Sequence, residues 1–313
     1  MIALHRRILA DKVRNQAFAR ALKAVIVPGK TTVVDIGSGT GFLAFLAAKL
    51  GAKHCYLIEE HQETLELSKK LAIENGITNC TFILGNSMAV ELPEKVDLIV
   101  SETLGHFAYE ENIIEIVGDA RKRFLKPSGK MIPQSMELFV LPVVNKRPHR
   151  MINAWDRVKL GLTFGAAKEL SLSKMHFCVF RKSDLLPITQ ARMWDAVDLS
   201  KDNESERSAT VQWKFPKASS VYGFALWWRT VLWKGIEIST SPADPSTHWG
   251  QVFIPLHVPL RVGRGEMLEV GLESDSWYRT GVHLRWDACV LNAKKQRVAA
   301  ESMDTRHSHL ALV

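Results

Sequence analysis

The chain has 313 residues, enough for two domains of ordinary size or one large one. Hydrophobic residues make up 46% and charged residues 24%, which excludes a disordered chain, and no apolar run reaches the roughly 18 residues a membrane helix needs. Lys and Arg number 41 against 33 Asp and Glu, a net charge of +8 that reads as a solvated face; no basic block or aromatic-interleaved basic motif accompanies it, so no nucleic-acid partner is expected.

In chain order, the N-terminal MIALHRRILADKVR is charged throughout and lacks an apolar h-region, so no secretory signal is expected. From about Thr31 to Ile132, short apolar runs alternate with helical stretches. TTVVDIG reads as a strand, TGFLAFLAAKLG as a helix ended by Gly51, and KHCYLIE as a second strand. HQETLELSKKLAIENG is an amphipathic helix closed by Asn75-Gly76; CTFIL and VDLIVS are strands, and NIIEIVGDARKRFL is a helix. This alternation predicts βαβ units and a parallel sheet, and VVDI and DLIV are apolar enough to be covered on both faces.

Beyond Pro133 the helical rhythm stops. MELFVLPVV, KMHFCVF, ATVQWKF, SVYGFALWWRTVLW, GQVFIPL, EMLEVGLES and VHLRWDACVLN are strand-like, which predicts an antiparallel β sandwich or barrel. All 9 tryptophans lie after residue 150, as filling for a β core. A helical-looking piece, MINAWDRVKLGLTFGAAKEL, interrupts the strands as an insertion or arm. The 4 cysteines (Cys55, Cys80, Cys178 and Cys289) form no CxxC pair, which argues against a metal site or disulfide framework and fits a reducing cytosol.

Gly37, Gly39 and Gly41 stand between a buried strand and a helix, in GxGxG spacing rather than the dinucleotide pattern GxGxxG. Glycines there let the backbone approach a ligand closely. An acid, Glu59, closes the second strand and can accept both ribose hydroxyls of a nucleoside. A tight turn without a ligand is the plain alternative. The pattern resembles class I S-adenosylmethionine (AdoMet) methyltransferases. That resemblance implies that Asp35 and Gly37 to Gly39 line the cofactor and that Glu59 holds its ribose.

Glu102 follows the strand VDLIVS, at the carboxyl end of a sheet strand, where open α/β folds bind ligands, and Glu111 comes nine residues later beyond a turn at Gly105. Two acids in one dry pocket repel unless a cation lies between them. A guanidinium suits that place, being planar, always charged and a forked donor. A solvated pair or a helix-start acid is the alternative, and Glu110 shows that acids are frequent here.

SETLGHFAYEE resembles the double-glutamate loop, SExxGxxxxxE, of protein arginine methyltransferases, with Glu102 and Glu111 on its two glutamates. Thr247-His248-Trp249, preceded by STSPADPS, resembles that family's THW loop. The helix from His5 through Asp11 to Arg14 resembles its cofactor-covering helix. The resemblance implies that Arg14 holds the AdoMet carboxylate and orients Glu102, that His5 lies at the cofactor, and that Asp11 pairs with His248 across the domains. It implies domain-locking or proton acceptance for His248, which by itself reads as a packed turn histidine, and for Trp249 a pocket wall, with plain core packing as the alternative. It further implies an α/β + β architecture: a Rossmann-like methyltransferase domain at 1–132, then an antiparallel β-barrel at 133–313 with a dimerisation arm at about 155–180, hence a homodimer. The cysteine usage and the charged N-terminus place the expectation in the cytoplasm (or the nucleus of a eukaryote).

The chain departs from the pattern in several places. The YFxxY helix expected ahead of His5 is not in the sequence, so the expectation is a truncated chain, a more open site or weak activity. Met88 stands where many members carry a glutamate for adenine; a thioether packs on the ring face but accepts no amino hydrogen. The variant LGHFA bears on how many methyls fit. A net +8 repels basic protein substrates unless the groove is acidic, so free arginine or another small guanidino compound is the alternative substrate. A catalytically weak AdoMet-binding partner subunit is the alternative from another class.

Overall fold

The computed structural model describes residues 2–158, 160–277 and 281–308, so the expected arm at 155–180 and second domain at 133–313 are each described in part. The chain opens with helices α1 (Ile2–Leu9) and α2 (Lys12–Val25). The single helix expected across His5–Arg14 is broken at Ala10–Asp11, because Asp11 adopts extended backbone and its carboxylate caps α2 by accepting from the Arg14 N–H.

The next elements are β1 (Thr32–Ile36), α3 (Phe42–Lys49), β2 (His54–Glu59), α4 (Gln62–Glu74), β3 (Cys80–Leu84), β4 (Val96–Ser101), α5 (Ile113–Phe124) and β5 (Leu125–Ile132). They form a parallel sheet in the order β3-β2-β1-β4-β5. All five residues of β1 are buried, as a strand covered on both faces requires. The strand order reverses between β1 and β4, which opens a crevice at their carboxyl ends.

The parallel sheet ends at Ile132, and from Ser135 onward the strands are antiparallel. These are β6 (Ser135–Val143), α6 (Lys146–Ile152), α7 (Gly165–Leu172), β7 (His176–Cys178), β8 (Arg192–Asp198) and β9 (Glu206–Lys214). They continue as β10 (Ser219–Trp233), β11 (Ile236–Ser239), β12 (Gln251–Val262), β13 (Met267–Asp275), β14 (His283–Leu291) and β15 (Arg297–Asp304). One sheet runs β7-β12-β10-β6-β8 with β11 on β10; the other runs β15-β14-β13-β9. Trp213, Trp228 and Trp286 of these sheets are fully buried. Trp213 on β9 stacks on Phe224 of β10, and the Trp286 indole donates to the Pro255 carbonyl at 2.8 Å, so apolar area and a satisfied N–H together join the sheets.

Strands β5, β8, β11 and β15 lie beyond those read from the sequence. Helix α2 packs on α3 and also on β10 and β11, bridging the parallel sheet and the antiparallel half.

Candidate active site

A cavity of about 710 Å³ opens at the carboxyl ends of β1 and β4, within the size range of small-molecule sites. Its lining includes His5, Arg14, Asp35, Gly37, Gly39, Glu59, Glu102, Glu111, His248 and Trp249.

The glycine loop forms one wall. Gly37, Gly39 and Gly41 have φ of +67°, +53° and +83°, a region that favours glycine. A Cβ at Gly37 would stand 2.8 Å from the Thr103 methyl, and one at Gly39 would stand 2.9 Å from the His5 ring. Thus His5 on α1 covers the loop closely. Gly39 N–H donates to Glu59 Oε2 at 2.9 Å, which ties the end of β2 to the loop. Asp35 accepts from the Ala44 N–H at 3.0 Å, and its burial pushes the carboxyl up to about 7. The Ser38 hydroxyl is buried and has no hydrogen-bond partner among the described residues.

Arg14 forms the floor. Its Nε donates to Glu102 Oε2 at 2.7 Å and its Nη2 reaches the same oxygen; both side chains are buried. Burial raises the Glu102 carboxyl and Arg14 opposes that rise. Glu111 ends a short 3-10 turn, Tyr109–Glu111, and is exposed to the cavity. Partial desolvation by the concave wall around it, together with the charges of Glu102 and Glu110, pushes the Glu111 carboxyl up to about 7.

Asp11 joins the two halves. Its Oδ2 accepts from the backbone N–H of His248 at 2.8 Å and lies 2.9 Å from His248 Nδ1. Burial would raise Asp11, but hydrogen bonds from Arg14 and His248 hold it below its ordinary value. Burial lowers His248, against the pull of Asp11. The imidazole is therefore neutral near pH 7, with Nδ1–H toward the carboxylate and Nε2 left as an acceptor.

Tryptophans of the antiparallel half grip the loop that carries the glutamates. Trp249 Nε1 donates to the Leu104 carbonyl at 2.6 Å and Trp228 Nε1 to the Gly105 carbonyl at 3.1 Å. The two indoles meet edge to face at 4.9 Å. Trp249 thus belongs to the wall and is 2% exposed. His106 Nδ1 contacts the Trp249 carbonyl, and its ring lies 4.9 Å from that of Phe177.

Met88, expected at the adenine face, is not among the lining residues and is 38% exposed. The reason is local: Asn86 Oδ1 accepts from the Met88 N–H at 2.9 Å in a turn that brings Asn86 and Ser87 to the cavity instead. Thr103, His106 and Glu110 also line it and were not singled out from the sequence. All three lie on the loop between the two glutamates, which was the available signal.

Residues 29–192 match the family described as methyltransferase domain, and residues 138–309 match the PRMT5 oligomerisation domain. The chain is 28% identical to protein arginine N-methyltransferase 6 of Xenopus laevis, over 83% of this chain and 80% of that protein. It is 29% identical to protein arginine N-methyltransferase 1 of Chlamydomonas reinhardtii, over 86% and 80%. Among solved structures it is similar to the Trypanosoma brucei PRMT1 enzyme–prozyme heterotetrameric complex with AdoHcy, with TM-score 0.83, 23% identity, and coverage of 97% of this chain and 98% of that one. It is also similar to protein arginine methyltransferase 10 of Arabidopsis thaliana, with TM-score 0.80, 22% identity and the same coverage. At these identities the two structures speak to the fold.

Proposed function

The chain belongs to the protein arginine N-methyltransferase family, and from that premise we propose that it methylates the guanidino group of arginine in proteins, using AdoMet. The observation that carries this reading is the opening of Glu102 and Glu111 into the cavity that holds the glycine loop and Glu59. The residues present fit the cofactor: glycines with no room for a Cβ, an unpartnered buried Ser38 hydroxyl, and a carboxylate at Glu59. Asp35, Gly37, Gly39 and Glu59 would hold it, with His5 above and Arg14 below. When bound, it supplies an electrophilic methyl group.

Glu102 and Glu111 clamp the guanidinium and draw its positive charge toward two of its nitrogens. The third nitrogen is left richer in electrons and is aligned by the clamp. Arg14 keeps Glu102 in orientation. His248 Nε2 accepts the proton the nitrogen sheds, and Asp11 stabilises the resulting imidazolium. Trp249 walls the pocket. Glu59, Glu60, Glu102, Glu110 and Glu111 line one cavity, so the local field opposes the net +8 and favours a cationic peptide.

The test is mass spectrometry with AdoMet and either an arginine-glycine-rich peptide or free L-arginine, with Glu111→Gln as control. A methyl gain on the peptide, lost at least 100-fold in the variant while AdoMet binding stays within twofold, is expected. Gain on free arginine alone would make it a small-molecule enzyme. AdoMet binding without product would favour the catalytically weak partner subunit.

Several finer features belong to the same proposal. The methyltransferase domain is 1–132 and the second domain 133–313; the change of sheet between Ile132 and Ser135 supports that division. Packing of β12 beside β15 and β8 beside β9 supports a barrel. The arm at 155–180 makes a homodimer, supported by the exposed Leu160, Leu162 and Phe177 and by the oligomerisation-domain match. Four free cysteines support a reducing compartment such as the cytoplasm.

A further inference from the structure

We propose that Tyr109 is a positioning residue for methyl transfer: its hydroxyl, held by Asp195 and Arg207 of the antiparallel half, sets where the Glu111 carboxylate stands. This rests on Glu111 acting as a guanidinium clamp.

Glu111 makes no hydrogen bond to another described residue and is exposed to the cavity, so its position is inherited from the backbone beneath it. That backbone is not relaxed. Ala108, which opens the turn Tyr109–Glu111, has φ +70° and ψ −51°, while Asn112, which closes it, takes the left-handed conformation that asparagine tolerates. An alanine persists in such a conformation only where the surroundings over-determine it.

Tyr109 supplies that constraint. It is 0% exposed, and its hydroxyl donates to Asp195 Oδ2 at 2.5 Å. Asp195 is on β8, and it is fixed in turn by Arg207 of β9. Arg207 Nε lies 3.0 Å from both Asp195 oxygens, its Nη2 lies 2.5 Å from Oδ1, and the same Nη2 donates to the Ala196 carbonyl at 2.9 Å. A forked guanidinium leaves the carboxylate little freedom, so the acceptor for Tyr109 is rigid before the tyrosine arrives. The ring meets Phe107 edge-on at 5.8 Å, and Phe107 stacks on Trp194, the neighbour of Asp195, at 6.1 Å. The turn is thus plugged into β8 by an aromatic body and bolted by one hydroxyl. Glu111 follows Tyr109 by two residues, so movement of the bolt moves the clamp.

Tyr109→Phe keeps the apolar body and deletes the bolt. Steady-state kinetics on an arginine-glycine-rich peptide should give a KM raised about 10-fold, with the AdoMet dissociation constant within twofold of wild type. A residue that only stabilised the fold would lower the active fraction, and hence apparent kcat, and leave KM alone. Asp195→Ala removes the acceptor from the opposite side and should raise KM likewise; it decides the matter should the tyrosine variant fail to fold. Glu111→Gln, run alongside, separates the two levels. If it turns over like wild type, the clamp reading itself fails. If it is inactive while Tyr109→Phe and Asp195→Ala keep a wild-type KM, the positioning role alone is overturned.

Discussion

The parallel-sheet half and the antiparallel half build the same cavity by different means. The first presents backbone: three left-handed glycines, a strand-end carboxylate and a helix start, all within about thirty residues of chain. The second presents side chains that act over long sequence distances. Trp249, Trp228, His248 and Asp195 each reach a loop or helix from which they are separated by 145, 123, 237 and 86 residues. A ligand cradle made of backbone is local and cheap to specify. A reactive loop must be held against drift, and its anchors come from wherever the second sheet passes.

The joint between the two halves is where a single substitution should cost most. Asp11 caps α2 and holds His248, so Asp11→Ala removes a cap worth about 1–2 kcal/mol and frees the histidine in one step. Turnover should fall about 100-fold, with a melting temperature lower by a few degrees and AdoMet affinity changed far less. Rapid-quench turnover beside calorimetric binding would check this. Loss of AdoMet binding in proportion to turnover would mean that the joint serves the cradle rather than the reactive loop.

A cut confined to the first half comes next. Gly39→Ala forces a Cβ into a φ of +53° and to 2.9 Å from His5, and the backbone strain alone is about 1–2 kcal/mol. The free loop relieves that strain by moving out of the binding geometry and must regain it on binding, so AdoMet affinity should weaken about 5- to 30-fold by titration calorimetry. All 9 tryptophans lie after residue 150, far along the chain from Gly39, so near-ultraviolet circular dichroism should be unchanged. Adding His5→Ala should recover the steric part and leave the strain. No change in affinity for the single variant would remove the glycine from the cradle.

The same division explains what could be read without coordinates. The parallel strands, their order of helices, the glycine turn and the strand-end position of Glu102 follow from short-range pattern, because a strand buried on both faces is apolar along its length. Strand β5 escaped because Pro127 and Gly129 interrupt it, and its pairing with β4 is irregular there. In β8, Arg192, Asp195 and Asp198 obscure the alternation; β11 has only four residues. The break at Asp11 is invisible locally, since a helix-capping aspartate and a mid-helix one read alike until His248 arrives from the other half. The Asp11–His248 contact was suggested only by resemblance. The link from Tyr109 to Asp195 carried no pattern at all, because two polar residues 86 positions apart declare nothing until the sheets form.

The smallest expected effect sharpens the electrostatic side of the reactive loop. Folding raises the Glu111 carboxyl from its ordinary 4.5 to about 7, so the folded state keeps a proton that the unfolded chain releases near 4.5. Above pH 7 the ionised carboxylate therefore destabilises the fold, and that cost disappears as pH falls from 7 toward 4.5. The full shift would be worth about 3 kcal/mol, but the side chain is open to solvent, which reduces it to about 1 kcal/mol. Glu111→Gln should then melt higher than wild type at pH 8 and equally at pH 4.5. Asp35, raised into the same window, keeps part of the pH dependence in both proteins. Activity runs the other way, because only the ionised clamp holds a guanidinium: kcat/KM of the wild type should fall below about pH 7. Melting curves of the two proteins across that range check the sign. Equal melting temperatures at pH 8 would mean that the cavity leaves Glu111 as well solvated as a surface carboxylate, and that the charge needed for the clamp is held at no expense to the fold.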